Sequence, residues 1–158
     1  MPSFVNAAAP APTPGVIVSS RVFAATPEQV FAAFSDPVRL AQWWGPKGFT
    51  NSFRQFEFRP GGAWQFTMRA PDGTAYEMNH QFAEIVRPGR IVVRHIQQGH
   101  DFTLTVTLAT RDRGTALTWE MRFADPAEGE NVRKFVEPAN EQNLDRLAAH
   151  LTQTVSKS

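Results

Sequence analysis

The sequence has no cysteine, no excess charge of either sign and no long apolar run. The absence of cysteine excludes disulfides, thiolate nucleophiles and cysteine-ligated metals, and it fits a reducing cytoplasm, where we expect the protein to reside. The 16 basic and 15 acidic residues give a formal net charge of +1 without a basic stripe, so no nucleic-acid partner is expected. No apolar run reaches the roughly 18 residues of a membrane-spanning helix, and no membrane span is predicted.

Motifs for several kinds of catalytic or cofactor site are also missing. The four histidines show neither H-x-x-x-H nor H-E-x-x-H spacing, so we expect no metal site. There is no G-x-S-x-G elbow for a nucleophilic serine. Gly61 and Gly62 follow Pro60 between two predicted strands, where they indicate a hairpin turn and not a phosphate loop. We therefore expect no cofactor and assign no catalytic residue.

Tyrosine is scarce, whereas the other aromatic residues are abundant. The chain has 1 tyrosine against 13 phenylalanines and 4 tryptophans. Buried phenylalanine needs no hydrogen-bond partner, whereas buried tyrosine and tryptophan usually find one. This composition indicates either a large dry core or a dry pocket.

The N-terminal segment differs in composition from the rest of the chain. Residues 1–15 read MPSFVNAAAPAPTPG and lack the basic and apolar regions of a secretion signal. Their Ala, Pro and Thr content predicts a flexible, extended arm, followed by a single domain over residues 16–155. A partner-binding tail is the alternative.

The first part of the predicted domain is a strand followed by two short helices. Val16–Ala24 has β-branched residues in partial alternation, and as an edge strand it could pair across a homodimer. Thr26 suits a helix N-cap and Pro27 suits the first helical position. Asp36-Pro37 ends that helix, and Gly45-Pro46 ends the second.

Beyond Phe49 the apolar side chains alternate with polar ones, and Phe56 and Phe58 begin this pattern. Turn signals separate the predicted strands at Pro60–Gly62, Pro71–Gly73, Arg87–Gly89 and Asp112–Gly114. The later strands are predicted at Tyr76–Val86, Arg90–Gln97, Asp101–Thr110 and Ala116–Phe123. This spacing is typical of an antiparallel meander.

The C-terminal part predicts one long helix. Residues 125–130 have the composition of a polar connection, and Asn131–Gln153 carries apolar residues at helical spacing, interrupted by Pro138. A sheet with one apolar face must cover that face. We therefore predict an α+β domain in which a curved sheet wraps around the long helix and two short helices close one end.

The chain resembles the helix-grip superfamily of START and Bet v 1-like binders of lipids, hormones and polyketides. The order of elements carries the resemblance together with the motifs WWGP, RPGGAW, PDG and FAEIVRPGRIV. The chain looks most similar, over about residues 16–153, to the single-domain branch named after the C-terminal domain of the activator of Hsp90 ATPase. The resemblance implies an antiparallel sheet of about seven strands around a long C-terminal helix.

The resemblance does not imply a single function. The superfamily includes ligand carriers, cyclases, dehydratases and chaperone regulators, and a fold alone does not select among them. Chaperone activators of this type carry a separate N-terminal domain, in whose place this sequence has its short Ala/Pro arm. Where relatives usually have a small residue before FAEIV, this sequence has Met78-Asn79-His80-Gln81, a change that would alter a pocket wall.

In helix-grip proteins the space between sheet and helix is often a hollow tunnel, and such pockets are largely apolar with a few polar groups. The resemblance therefore implies a ligand cavity lined by aromatic residues and methionines. These are Trp43, Trp44, Phe56, Trp64, Phe66, Met68, Trp119 and Met121. Simple packing of these side chains in the core is the alternative.

Several polar residues are candidates for the same cavity. His80 shares its side of a strand with Tyr76, and His95 shares its side with apolar neighbours. Two imidazoles in an apolar cavity would have lowered pKa values and would suit acid–base work on a carbonyl or enol. Asn143 and Leu144 lie where the long helix would face the cavity. Structural histidines, or an outward register, are the alternatives.

The stretch WWGPKGF over Trp43–Phe49 places two adjacent indoles before a helix-breaking Gly-Pro pair. We expect one indole to pack beneath the second short helix as a plug. The other would line the entrance of the cavity.

These patterns favour binding of a hydrophobic small molecule. An enzyme acting on a hydrophobic carbonyl compound, such as a cyclase, dehydratase or hydrolase, is one alternative. A protein-interaction module, with a chaperone or as a homodimer, is another. Inward and close-set His80, His95 and Tyr76 would favour the enzyme, whereas a filled cavity or a large exposed apolar patch would favour the interaction module.

Overall fold

The computed structural model describes residues 13–97 and 100–156. Its elements are β1 (Val16–Phe23), α1 (Pro27–Ser35), α2 (Pro37–Trp43), β2 (Thr50–Phe56), β3 (Ala63–Arg69), β4 (Ala75–Val86), β5 (Arg90–His95), β6 (Phe102–Arg111), β7 (Gly114–Phe123) and α3 (Pro126–Ser156). The strands form one antiparallel sheet in the order β1-β7-β6-β5-β4-β3-β2. The predicted α+β helix-grip architecture is confirmed.

The predicted N-terminal arm lies largely outside the described residues. Within its last three positions, Thr13 and Gly15 are hydrogen-bonded to the domain. The Gly15 amide donates to Glu130 at 2.8 Å, and the Gly15 carbonyl accepts from the Phe123 amide at 2.9 Å. These bonds fix where the chain enters β1.

The two short helices begin as their sequence signals predict. The Thr26 hydroxyl accepts from the Gln29 amide, and the Gln29 side chain accepts from the Thr26 amide, which forms a complete capping box. Asp36 ends α1 and caps α2 through a 3.0 Å bond from the Val38 amide. A single aspartate therefore serves the junction of both helices.

The long helix begins five residues earlier than predicted. Residues 126–130, which belong to the segment expected as a polar connection, form its first turn. Asp125 accepts from the Ala127 amide through its side chain and from the Gly129 amide through its carbonyl, and Pro126 takes the first helical position. The Asp-Pro signal is an ordinary helix start that the polar composition of the segment hid.

Several strand limits also differ from the predictions. β2 has a bulge between Phe53 and Gln55 and ends at Phe56, opposite Trp64. Phe58 lies beyond the end of the strand but packs on the same core as Phe56, as the alternation predicts. β1 ends one residue before its predicted end and β5 two residues before, while β6 reaches Arg111. Gly114 belongs to β7 because it pairs with Arg111 across a two-residue turn.

Helix α3 covers the sheet over β1 and β7 and also contacts α1 and α2. Ion pairs fasten it to the edge of the sheet, because Arg21 of β1 lies 2.9 Å from both Glu141 and Asp145. The buried faces of the helices and strands form one continuous apolar core. Within the described parts of the chain, no helix is long and apolar enough to cross a membrane.

Candidate functional site

An apolar pocket of about 160 Å³ lies between α3 and the inner face of the sheet, and we call it the helix pocket. Its walls come from β3, β4, β6, β7, α3 and the segment after α2. They are Trp44, Gly45, Pro46, Met68, Met78, His80, Phe102, Leu104, Trp119, Met121, Val136, Ala139, Asn140 and Asn143. Most of the lining is aromatic, aliphatic or thioether surface, as in small-molecule sites.

A second hollow lies beside the helix pocket and holds only about 10 Å³. Its walls are entirely apolar, and Trp44 and Leu104 line both spaces. These two side chains therefore divide the interior into a small closed void and a larger open pocket.

The two adjacent tryptophans occupy different positions. Trp43 is 1% exposed, and its Nε1–H donates to the Ala33 carbonyl of α1 at 3.1 Å. Trp44 is 8% exposed and forms the wall shared by the two hollows. Its ring lies 4.9 Å from Trp64 and 5.4 Å from Trp119. One indole thus closes the space beneath the helices, and the other faces the pocket.

Side chains from α3 hold the corner that carries these indoles. Arg146 donates to the carbonyls of Gln42, Trp44, Gly45 and Pro46 at 2.9–3.0 Å. A helix leaves its last carbonyls without intrahelical partners, and here a guanidinium supplies the donors.

Two asparagines and a glycine complete this corner. Asn143 donates to the Trp43 carbonyl at 2.9 Å, and Asn51 donates to the carbonyls of Ala41 and Trp44. Gly45 has φ of 95°, a backbone conformation that side-chain-bearing residues rarely adopt. The corner is therefore fixed by polar side chains behind it, which leaves the Trp44 ring free to line the pocket.

Two buried histidines face each other across the sheet. His80 of β4 pairs directly with His95 of β5 in the strand register, and their exposed fractions are 3% and 5%. His80 Nε2 lies 3.3 Å from His95 Nδ1. The His80 ring stacks on Phe66, and the His95 ring stacks on Phe102. Both imidazoles therefore sit in an aromatic row on the inner face.

Hydrogen bonds connect this pair to Gln97. His95 Nε2 lies 3.1 Å from Gln97 Oε1, and in the tautomer that donates to this oxygen Nε2 carries the proton of neutral His95. His95 Nδ1 is then an acceptor, and His80 Nε2–H donates to it. This leaves His80 Nδ1 as a buried lone pair, with no hydrogen-bond partner among the described residues.

Burial keeps both histidines neutral at physiological pH. Desolvation, together with the neighbouring His95, lowers the pKa of His80 from 6.5 to about 3. Desolvation also lowers the pKa of His95, opposed by its hydrogen bond to Gln97 and by nearby acidic groups. The pair therefore presents neutral donors and acceptors, not charge.

Two buried indole N–H groups resemble His80 Nδ1 in their lack of a hydrogen-bond partner among the described residues. Within the described part of the chain, neither Trp64 Nε1 nor Trp119 Nε1 has a hydrogen-bond acceptor, although both are buried. Trp64 borders the closed void and Trp119 borders the helix pocket. Buried polar atoms are normally paired, so each is a candidate for contact with a bound molecule.

Comparison with known proteins shows the family. Residues 24–152 match the family described as Activator of Hsp90 ATPase homolog 1-like protein, and this match spans most of the chain. The chain belongs to this family. A protein from Chromobacterium violaceum is 30% identical, with a TM-score of 0.77 over 88% of this chain and 98% of its own.

Other solved structures share the fold at lower identity. A Nitrosomonas europaea protein has a TM-score of 0.84 at 18% identity, over 92% of this chain and 99% of its own. The AHSA1 protein from Silicibacter pomeroyi has a TM-score of 0.71 at 23% identity, over 88% and 99%. No curated protein matches this chain.

On this family fold, most of the predicted site residues lie on the inner face, but not all of them line the helix pocket. Trp44, Met68, His80, Trp119, Met121 and Asn143 line it. Trp43, Phe56, Trp64, Phe66 and Leu144 pack in the core around it, and His95 lies behind His80. Tyr76 lies at the open end of β4, 47% exposed, with its ring 6.5 Å from Phe49.

Sequence reasoning missed several lining residues. Phe102 enters the site because it pairs with His95 in register, and strand pairing is not visible in a single sequence. Val136 and Ala139 lie on the apolar stripe of α3, whose spacing identifies them as inward but not as pocket walls. Among the residues that the structure describes, no cluster of three or more His, Asp or Glu suits a metal ion.

Proposed function

We propose that the protein binds a small apolar molecule in the helix pocket. The observation that supports the proposal is an open hollow with largely apolar walls beside the core. Protein interiors are packed about as densely as organic crystals, so a hollow of this size loses contacts that a ligand would restore. The surrounding family fold supports ligand binding only in general, and the pocket itself supports the apolar chemistry.

The volume of the pocket limits the size of the ligand. A volume of about 160 Å³ is close to the roughly 150 Å³ of engineered apolar cavities that take up benzene. It is smaller than the roughly 300–1,000 Å³ of pockets for drug-sized molecules. We therefore expect a ligand with about one ring.

Filling the pocket from the helix side tests this proposal. Ala139→Leu adds bulk to a lining position, and Ala149→Leu adds the same bulk to an exposed position on the same helix. We expect Ala139→Leu to weaken binding of toluene at least tenfold by calorimetric titration while the melting temperature stays equal or rises. Ala149→Leu should bind as the wild type does. Equal toluene affinity in all three proteins would contradict the proposal.

The close pair of His80 and His95 makes catalysis on a hydrophobic carbonyl compound the second candidate function. Two of the three residues expected for acid–base work are inward and adjacent, whereas Tyr76 is half exposed and lies outside the pocket lining. A general base works best with a pKa near the working pH, and the low pKa of His80 makes it a weak base at neutral pH. The geometry therefore supports binding better than proton transfer.

A further inference from the structure

We infer that the ligand of the helix pocket carries a hydroxyl group on an apolar frame of about one ring, as phenols do, and that this hydroxyl donates its proton to His80 Nδ1. The inference rests on the proposed function and adds the chemistry of the ligand. It follows from the direction of the hydrogen bonds that connect Gln97, His95 and His80.

The direction of these bonds starts from Gln97. With the Gln97 side-chain oxygen as the acceptor of the 3.1 Å contact, His95 Nε2 donates to it, His95 Nδ1 accepts and His80 Nε2 donates. The backbone amide of Gln97 is in turn bonded to the Asp101 carboxylate at 2.8 Å, which fixes the loop residue that begins the series. A second proton on His80 would charge a ring that is 3% exposed.

In this arrangement His80, which lines the pocket, has at Nδ1 a buried lone pair that requires a donor. In the part of the chain described by the structure, no group provides one. A buried acceptor without a partner costs about 1–3 kcal/mol, which a ligand donor would recover. An ether, a ketone or a carboxylate has no proton to give, so these groups do not satisfy this position.

The indole of Trp119 adds the complementary requirement. Its unpaired Nε1–H needs an acceptor, and it lines the same pocket as His80. A hydroxyl is both donor and acceptor, so its chemistry matches the unmet requirements of both residues. Among the described lining residues none is a lysine, arginine, aspartate or glutamate, so the pocket favours a neutral hydroxyl over a charged group.

Three probes of similar size distinguish the binding of an apolar molecule from the preference for a hydroxyl group. Phenol carries a hydroxyl, anisole carries only an ether acceptor, and toluene carries neither. Each is titrated into wild-type protein, into His80→Phe, which keeps an aromatic ring without the acceptor, and into His100→Phe, a control at an exposed histidine outside the pocket.

We expect the preference of phenol over anisole to be about tenfold larger in the wild type and in His100→Phe than in His80→Phe. An equal preference in all three proteins would overturn the hydroxyl inference but leave the proposed function standing, provided that toluene and anisole bind. Failure of every probe to bind the wild type would overturn both.

A measurement on the wild type alone keeps the inference testable if His80→Phe does not fold. Nitrogen-15 NMR of the histidine rings distinguishes protonated from unprotonated nitrogens. We expect His80 to be protonated at Nε2 and not at Nδ1, and its Nδ1 resonance to move when phenol saturates the pocket. A proton on Nδ1 in the free protein, or an unmoved resonance at phenol saturation, would contradict the inference.

Discussion

At the scale of single residues, His80 combines deep burial with an unpaired nitrogen. The His80 ring lies between two neighbouring strands. It contacts Trp64 and Phe66 of β3 on one side and His95 of β5 on the other. Proteins keep such polar atoms in a core when they have a partner, and the partner here is expected from outside the chain. Because burial disfavours the charged form of this ring, the free energy of unfolding should depend on pH.

We predict that acid weakens the fold through His80. The unfolded chain takes up a proton near pH 6.5, but folded His80 does so only near pH 3, so the unfolded state binds more protons in between. The free energy of unfolding should therefore fall as the pH drops from 6.5 toward 3, by up to about 1.4 kcal/mol per pH unit from this residue. Urea denaturation across this range measures the slope.

The comparison with His80→Phe isolates this contribution, because the lowered pKa values of His95 and His150 add to the slope of both proteins. The variant should lose stability less steeply between pH 6 and 4 than the wild type. Identical slopes would show that His80 is protonated in the folded protein at the same pH as in the unfolded chain.

The adjacent tryptophans should respond differently to the same substitution. Trp43→Phe removes the donor to the Ala33 carbonyl in a fully buried place, so we expect a loss of about 2 kcal/mol in unfolding free energy. Trp44→Phe should cost less stability but change toluene affinity, because Trp44 walls the pocket. Denaturation and titration of both variants check this, and equal stability losses with unchanged binding would refute the division of roles.

At the scale of elements, the corner after α2 is held by α3, although about 100 residues separate them in the chain. Arg146 and Asn143 come from adjacent turns of α3 and bond the carbonyls of α2 and the segment after it. The pocket wall at Trp44 thus depends on the docking of the long helix. Burial lowers the pKa of Arg146, as expected for a guanidinium drawn partly out of water.

Removing this guanidinium should loosen the corner. Arg146→Met keeps much of the apolar stem but removes one donor from each of four carbonyls, of which those of Trp44 and Pro46 keep a second donor, and we expect a loss of about 2 kcal/mol in unfolding free energy. Lys134→Met, at an exposed cation on the same helix, is the matched control and should lose less than about 0.5 kcal/mol. Equal effects of the two substitutions would mean that the carbonyl bonds contribute little.

The elements themselves were largely predictable from local patterns. Capping residues such as Thr26 and Asp36 bond amides two or three residues further along the chain, so a local pattern reveals them. Alternation of apolar and polar side chains likewise identifies most of the strands. The bulge at Phe53–Gln55 was not predictable, because a bulge depends on what the partner strand presents. The start of α3 was missed for another reason, since its first turn is polar and only the Asp125-Pro126 signal marks it.

At the scale of the whole molecule, the pocket is a product of assembly. Its walls come from four strands, one helix and the corner after α2, so no local pattern contains it. Parity along the strands gave His80, His95 and Tyr76 the same side as apolar neighbours without deciding which of them face inward. The two histidines are buried and Tyr76 is 47% exposed, because parity does not show where a strand leaves the core. The homodimer expected through edge strand β1 stays a prediction, and Val18 and Val22 lie exposed there.

The central claim, that the helix pocket takes up a small apolar molecule, is tested most directly by NMR of the indole groups. The chain has four tryptophans, whose N–H signals are assignable by single Trp→Phe substitutions. On titration with toluene, we predict large shifts for Trp44 and Trp119, which line the pocket, and small shifts for Trp43, which is bonded to Ala33. Unmoved signals of Trp44 and Trp119 at the highest toluene concentration would contradict the claim.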